Sequence, residues 1–297
     1  MTSATPVISV VIPFRNSLVT LEKALRSLEQ QAFREFELIL IDDDSSDAGY
    51  LVASKFSSHV LRNARRLGPA ASRNVGIREA RGEIIFFMDS DCVADRDLLA
   101  CVQREFEADS KTGAIAGSTR IPASNLLGDC ISELGFPGGA NAGFDKIWPV
   151  SRNGRTSHIS SCNCAIRRKI LERVGGFDES FLYAGAEDSE LSHRLVKTEV
   201  GIKYCPSLIV WHEPRKDLVS YMKWQIVRGR ANYHFKRRVG KVGKFIRLRS
   251  WSSRNIIRNN ISKPRIFIVI GLLALSLLMQ QVGYLLEKFA VGTSSHS

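Results

Sequence analysis

Two carboxylates spaced two apart, Asp89 and Asp91, follow the apolar run Ile84-Ile85-Phe86-Phe87-Met88. Side chains alternate along a strand, so a pair at its end points one way. Two hard oxygen ligands on one side can hold Mg²⁺ or Mn²⁺ and leave positions open for phosphate. Solvated turns also carry Asp, so the buried-strand pattern before the pair is what marks it as a ligand edge. A second acidic run, Asp42-Asp43-Asp44-Ser45-Ser46-Asp47, ends another apolar segment. Adjacent carboxylates repel unless compensated, and a carboxylate there can accept the imide N–H of uracil. Glu187-Asp188 follows the small-residue run Ala184-Gly185-Ala186 and opens a helical pattern. The helix dipole alone favours acids at that position; general base catalysis on an attacking hydroxyl would use the same placement. His212 sits at the end of a strand-like run, before Glu213-Pro214. A lone His is more often structural, but a neutral imidazole suits a metal that carries a diphosphate.

The elements that must position these groups follow from periodicity. Val7 to Ile12 and Phe36 to Ile41 read as buried strands, with a short third near Val60 and another over Ile84 to Met88. Leu18, Leu21, Leu25 and Leu28 have helical spacing after a cap at Asn16 or Ser17. Gly68-Pro69 opens a helix to Ala80 whose N-terminus could face a nucleotide, with Arg73 supplying positive charge. Further helices are expected over Asp97 to Ala108, Arg167 to Val174 and Glu187 to Val196, and a strand starts at Ala114. This β-α-β-α order with apolar strands argues for an α/β fold with a mainly parallel sheet covered on both faces. Ligands of such sheets bind beyond the C-terminal strand ends, where both acidic runs fall. The Gly-rich run Phe136 to Gly143 reads as a flexible loop, either a plain surface loop or one that orders over substrate.

The net charge of +12 is local. Residues 215–265 hold sixteen Lys or Arg and one acid, so this segment carries +15 and the rest of the chain −3. Trp224, Tyr233, Phe235, Phe245 and Trp251 are interleaved with the cations. Such a segment suits a headgroup interface, a solvated face packed on the main domain, or single-stranded nucleic acid. The neighbouring C-terminal run favours the membrane. Ile266 to Leu286 has no charge and bilayer length, with Ser276, Gln280 and Gln281 as its polar exceptions. A buried or re-entrant helix is the alternative. Lys263 and Arg265 precede the run and only Lys288 comes after it, which puts the N-terminal bulk on the cytoplasmic side. The expected division is a catalytic unit over 1–214, a basic docking region over 215–263, a single-pass transmembrane helix over 264–288 and a tail over 289–297. The six cysteines have no CxxC pair and read as reduced thiols.

Taken in order, Val10-Val11-Ile12-Pro13-Phe14-Arg15-Asn16, Asp42 to Asp47, Arg73-Asn74-Val75-Gly76, Met88-Asp89-Ser90-Asp91, Gly175-Gly176-Phe177-Asp178-Glu179 and Glu187-Asp188 resemble the family-2 glycosyltransferases of GT-A fold. The resemblance runs from about Ile8 to His212. It implies an inverting transferase that takes a sugar from a nucleoside diphosphate, UDP favoured, with Mg²⁺ or Mn²⁺. The expected acceptor is a glycan or lipid-linked molecule; the basic and apolar C-terminus supplies the cell-membrane location, with no nucleic-acid partner expected. Pro13, Asn16, Asp42, Asp43 and Arg73 would then serve the donor, Asp89 ribose or metal, and Asp91 and His212 the metal. Asp188 would be the base with Glu187 beside it. Asn163 resembles a family Asn near the substrate pocket. Gln225 and Arg228 loosely match a Q-x-x-R-W element, another acceptor or pocket contribution; Gly229 stands in place of its Trp, which argues against processive polymerisation. The family usually has Gly where Asp44 stands. A sugar-phosphate nucleotidyltransferase would need a Gly-rich basic segment where Pro13-Phe14-Arg15-Asn16 stands. A non-catalytic nucleotide-sugar-binding scaffold would bind donor without turning it over.

Overall fold

The structure is a computed structural model that describes residues 5–240 and 243–294. Its strands are β1 (Ile8–Phe14), β2 (Phe36–Asp42), β3 (Val60–Arg62), β4 (Ile84–Met88), β5 (Cys92–Ala94), β6 (Thr112–Arg120), β7 (Arg155–Thr156), β8 (Asn163–Arg167) and β9 (Gly201–His212). The helices are α1 (Leu18–Glu29), α2 (Gly49–Phe56), α3 (Pro69–Glu79), α4 (Leu98–Ala108), α5 (Leu126–Ser132), α6 (Phe144–Ile147), α7 (Arg168–Val174), α8 (Glu187–Lys197), α9 (Leu218–Val239), α10 (Gly243–Asn260) and α11 (Ile266–Ser294).

The strands form one sheet in the order β3-β2-β1-β4-β8-β6-β9-β5, with β7 on the side of β9. The half β3-β2-β1-β4 is parallel throughout. β8 enters antiparallel between β4 and β6, so the sheet is mixed. Alternate residues of each central strand feed two cores. Val11, Ile39, Ile41, Ile85 and Phe87 face one layer; Val10, Ile12, Leu40, Phe86 and Met88 face the other, with Leu21 and Leu25 of α1 and Leu98 and Val102 of α4. Burial on both faces is why these strands read as unbroken apolar runs.

The run 136–143 is not a free loop. Asn141 clamps Ile121 by accepting from its N–H at 3.0 Å and donating to its carbonyl at 3.1 Å. The turn Ala140–Ala142 is a short 3-10 helix. Asp44 adopts φ +60°, the left-handed region that glycine enters without penalty and Asp tolerates best after Asn. The conformation that glycine would serve is therefore kept here by Asp44.

The last three helices fold back on the domain. α11 runs alongside α9 in the same direction. The Tyr221 hydroxyl donates to the Leu272 carbonyl at 2.8 Å, Gln280 Nε2 to Gln225 Oε1 at 2.6 Å, and His234 Nε2 pairs with Glu287 Oε1 at 2.9 Å. Gly229 and Gly283 let the two backbones touch: a Cβ at either would collide with the other helix's main chain. The polar side chains Ser276, Gln280 and Glu287 are buried, whereas Phe267, Leu277, Leu278, Leu285 and Phe289 face outward.

Candidate active site

The sheet edge and the start of α8 meet over a cavity of about 230 Å³. Asp89 and Asp91 flank the end of β4, and His212 ends β9. β5 pairs with β9 so that Cys92 lies opposite His212, which draws Asp91 and His212 together. Asp91 Oδ1 lies 3.3 Å from His212 Nε2. His212 Nδ1 lies 2.8 Å from the Glu213 carbonyl oxygen, so Nδ1 carries the proton and Nε2 is left for a cation. Burial alone would lower the His212 pKa, but Asp91, Cys162, the Glu213 carbonyl and Asp89 together outweigh it and the value is raised. The potential ligand atoms of Asp91, Cys92 and His212 lie within 4.8 Å of one another. Burial, and then the neighbouring Cys162 thiol, push the Cys92 thiol well up, so it stays protonated and the usable ligands are carboxylate and imidazole. That donor set fits Mg²⁺ or Mn²⁺.

Arg73 joins the two acidic groups. Its Nη2 donates to Asp89 Oδ1 at 2.7 Å and its Nη1 to Glu187 Oε1 at 3.0 Å. The side chain is 2% exposed and lies against the Phe177 ring. Burial opposes its charge, but Asp89 and Glu187 more than offset that and hold it firmly protonated. Glu187 is committed elsewhere too: its Oε2 accepts from the Gly185 and Ala186 N–H groups at 2.7 and 3.0 Å. Asp188 accepts from the Ser189 N–H at 2.7 Å and the Ser161 N–H, and it lines the cavity. Burial, then the neighbouring Glu187, raise its pKa to about 7, against the opposing pull of Arg73. Of the two adjacent acids, Glu187 is a fixed strut, and Asp188 lines the cavity with a pKa near neutrality, as a proton acceptor would need.

The other expected residues are placed less directly. Asp43 accepts from Leu67 N at 2.7 Å, Gly68 N at 2.9 Å and Asn63 at 2.9 Å, so both its oxygens pin the loop that starts α3. Asp42 is wholly buried, accepts from Ser45 N at 2.8 Å and pairs with Arg62 at 3.2 Å. Pro13 is a part-buried residue of β1. Asn16 accepts from Ser46 N and lines a wider cleft of about 560 Å³ with Asp91, His212 and Arg215. Two of the expected pocket residues lie outside this cavity. Asn163 is buried within the sheet, donates to the Ser118 and Leu208 carbonyls, and does not line the catalytic cavity. Gln225 faces α11 through Gln280 rather than the cavity. Arg228, three residues on, does line it, stacked 3.9 Å over the Phe136 ring.

Sequence reading missed Trp148, His158, Cys162, Arg215 and Trp224, which complete the cavity wall. The His158 ring stacks on Trp148 at 4.3 Å, and burial lowers its pKa to about 3, keeping it neutral. Arg215 lies 4.5 Å over Trp224, with Arg228 also near that ring. Arg215 directly follows the His212-Glu213-Pro214 segment, a placement that offered the one sequence signal for it.

Residues 9–175 match the family described as Glycosyl transferase family 2, and residues 156–252 match Glycosyltransferase like family 2. The chain is 28% identical over 222 residues to "Probable glycosyltransferase YdaM" of Bacillus subtilis, covering 70% of this chain and 51% of that one. It is 27% identical over 225 residues to "Pre-mycofactocin glycosyltransferase" of Mycobacterium tuberculosis, covering 72% and 44%. It thus spans about half the length of these relatives. In fold it is similar to the mannosyltransferase PcManGT of Pyrobaculum calidifontis, solved with GDP-Man and Mn²⁺: TM-score 0.62, 19% identity, 94% of this chain and 85% of that one. The β3-β2-β1-β4 half-sheet, the Asp89/Asp91 edge and the two sequence matches agree: this chain has the GT-A fold and belongs to glycosyl transferase family 2.

Proposed function

We propose that the protein transfers a sugar from a nucleoside-diphosphate sugar to a hydroxyl acceptor with inversion, at a membrane surface. The observation that carries this is one cavity shared by Asp89, Asp91, His212 and Asp188. Asp91 and His212 would hold a divalent cation, which when bound offsets charge on the leaving diphosphate. Asp89, fixed by Arg73, would orient the donor. Asp188 takes the proton of the acceptor hydroxyl. The acceptor oxygen then bonds to the anomeric carbon as its bond to the diphosphate oxygen breaks, and the electron pair leaves with the nucleotide. Glu187 has no oxygen to spare for a covalent intermediate, which supports direct displacement over a double one. A UDP donor is our expectation from the acidic run 42–47, of which Asp47 lines the wider cleft while Asp42 and Asp43 are held by the chain itself; the solved neighbours carry GDP-Man or UDP-GlcNAc.

The membrane part rests on α11. Residues 266–291 are long and apolar enough to cross a bilayer by length and composition. Leaving α9 to cross would expose Gln280 and Glu287 to lipid. We therefore favour α11 seated flat, with Leu277, Leu278 and Leu285 in the lipid and exposed cations of α9 and α10, such as Lys236, Arg237 and Arg254, toward cytoplasmic-side headgroups. The test of function is a screen of nucleotide-sugars for Mn²⁺- or Mg²⁺-dependent binding and slow hydrolysis. A hit with turnover on a hydroxyl acceptor is expected. Binding without any turnover would leave a scaffold, and formation of nucleotide-sugar from sugar phosphate would mean a nucleotidyltransferase.

A further inference from the structure

Beyond the catalytic cavity, a groove of about 770 Å³ runs between α8, α9 and the start of α10. Trp148, His158 and Ser189 line both spaces, so the groove continues from the cavity that Asp188 faces. Its walls are apolar: Phe235, Phe245, Leu248 and Trp251, with Phe235 and Phe245 in ring contact at 5.1 Å. Its rim is basic, with Lys197 and Arg247 at its edge. Between cavity and groove lies a narrow space bounded by Arg228 and Arg249. Among the described residues neither guanidinium pairs with a carboxylate: Arg228 stacks on Phe136 and Trp224, and Arg249 donates to Gln280 at 2.6 Å. Two arginines enclosed together repel one another, and burial followed by Arg249 lowers the Arg228 pKa to about 9 against the partial offset of the Asp188 carboxylate. An anion between them removes that cost and gains charge-assisted hydrogen bonds.

Resting on the proposed transfer reaction, we infer that the acceptor is a lipid phosphate that carries the attacking hydroxyl, its phosphate bound by Arg228 and Arg249 and its hydrocarbon lying in the Phe245–Leu248–Trp251 groove. The order of features carries it. Proton acceptor, paired guanidinium groups and apolar walls succeed one another along one continuous space, matching a polar head, an anionic link and a chain. A free sugar would leave the apolar groove unused, and a neutral lipid would leave Arg249 without an anionic partner.

The probe is farnesyl phosphate, titrated into the full chain below its micelle concentration while tryptophan fluorescence is read, since Trp148 and Trp251 line the groove. Farnesol and inorganic phosphate are the comparison ligands. Farnesyl phosphate is expected to bind at least tenfold more tightly than either. Leu248→Glu should weaken it tenfold or more. The double change Lys197→Glu with Arg247→Glu, both at the rim where folding is not threatened, should weaken it several-fold. Arg249→Ala should bring farnesyl phosphate and farnesol to within about threefold of each other. Equal wild-type affinity for farnesol overturns the phosphate assignment; equal affinity for inorganic phosphate, or unchanged binding in folded Leu248→Glu, overturns the groove. Metal-dependent donor hydrolysis by the wild type is measured in parallel. Its absence with farnesyl phosphate binding intact counts against transfer but supports the groove.

Discussion

Arg73 Nη1 donates to Glu187 Oε1 across 3.0 Å, with both side chains almost wholly buried. The residues are 114 positions apart, and the same guanidinium holds Asp89. One cation thus locks the donor edge of β4 to the start of α8. Removing it leaves Glu187, 3% exposed, buried without its counter-charge, and Asp89, 32% exposed, without its partner. Arg73→Ala should cost about 3–5 kcal/mol of stability, the usual effect of breaking a buried pair from one side. Urea unfolding checks this, and a loss under about 1 kcal/mol would mean that the carboxylates find other partners.

Asp188 gives a pH signature. Its pKa of about 7 means that the base form is lost as pH falls below neutrality. The plot of kcat/KM should drop about tenfold per pH unit on that side. Asp188→Asn should lower kcat by about 10²–10⁴-fold and flatten that limb, with donor binding retained. The stability sign is opposite to that of a paired carboxylate. A folded-state pKa above the ordinary 3.8 makes the folded state bind the extra proton, so Asp188 costs stability progressively between about pH 4 and pH 7. Asp188→Asn should therefore melt higher than wild type at pH 8, with the gain shrinking toward pH 4.

Asp89 and Asp91 should separate when each is neutralised. Asp91 faces His212, whereas Asp89 is held by Arg73. Asp91→Asn and His212→Ala should each raise the Kd for Mn²⁺ about 10–100-fold, with little change in melting. Asp89→Asn should lower the melting point and weaken donor binding. Calorimetric Mn²⁺ titration with and without nucleotide separates the two, and equal effects on Mn²⁺ would remove the distinction.

Much of the fold was legible in the residues alone. The strands announced themselves because both sheet faces are buried, and the motifs marked which strand ends carry carboxylates. The Arg73 bridge was not legible, because nothing local links it to residues 16 and 114 positions away. Asp43 looked like a ligand contact and is also a clamp on Leu67 and Gly68, since an acidic run has the same letters in either role. The Gln280 interruption in the apolar run looked like a flaw in a membrane segment and is the site where α11 is pinned to Gln225. Helical composition shows which side chains are polar, not which neighbouring helix they meet.

That pinning leads to the prediction about attachment. The outward face of α11 can be altered without touching its contacts to α9: Leu277 is 59% exposed and Leu285 40%. Leu277→Glu with Leu285→Glu should abolish co-sedimentation with anionic vesicles while leaving the melting point within a few degrees, because the polar contacts that hold α11 to α9 are kept. Gly229→Val should do the reverse. Its side chain would collide with the Gln280 backbone and force α11 off α9, lowering the melting point while the apolar helix still finds lipid. Truncation after Ser262 mixes the two effects, since it removes the lipid face and also uncovers Tyr221, Gln225 and His234. If the double Glu variant sediments as wild type does, α11 does not seat the protein through this face.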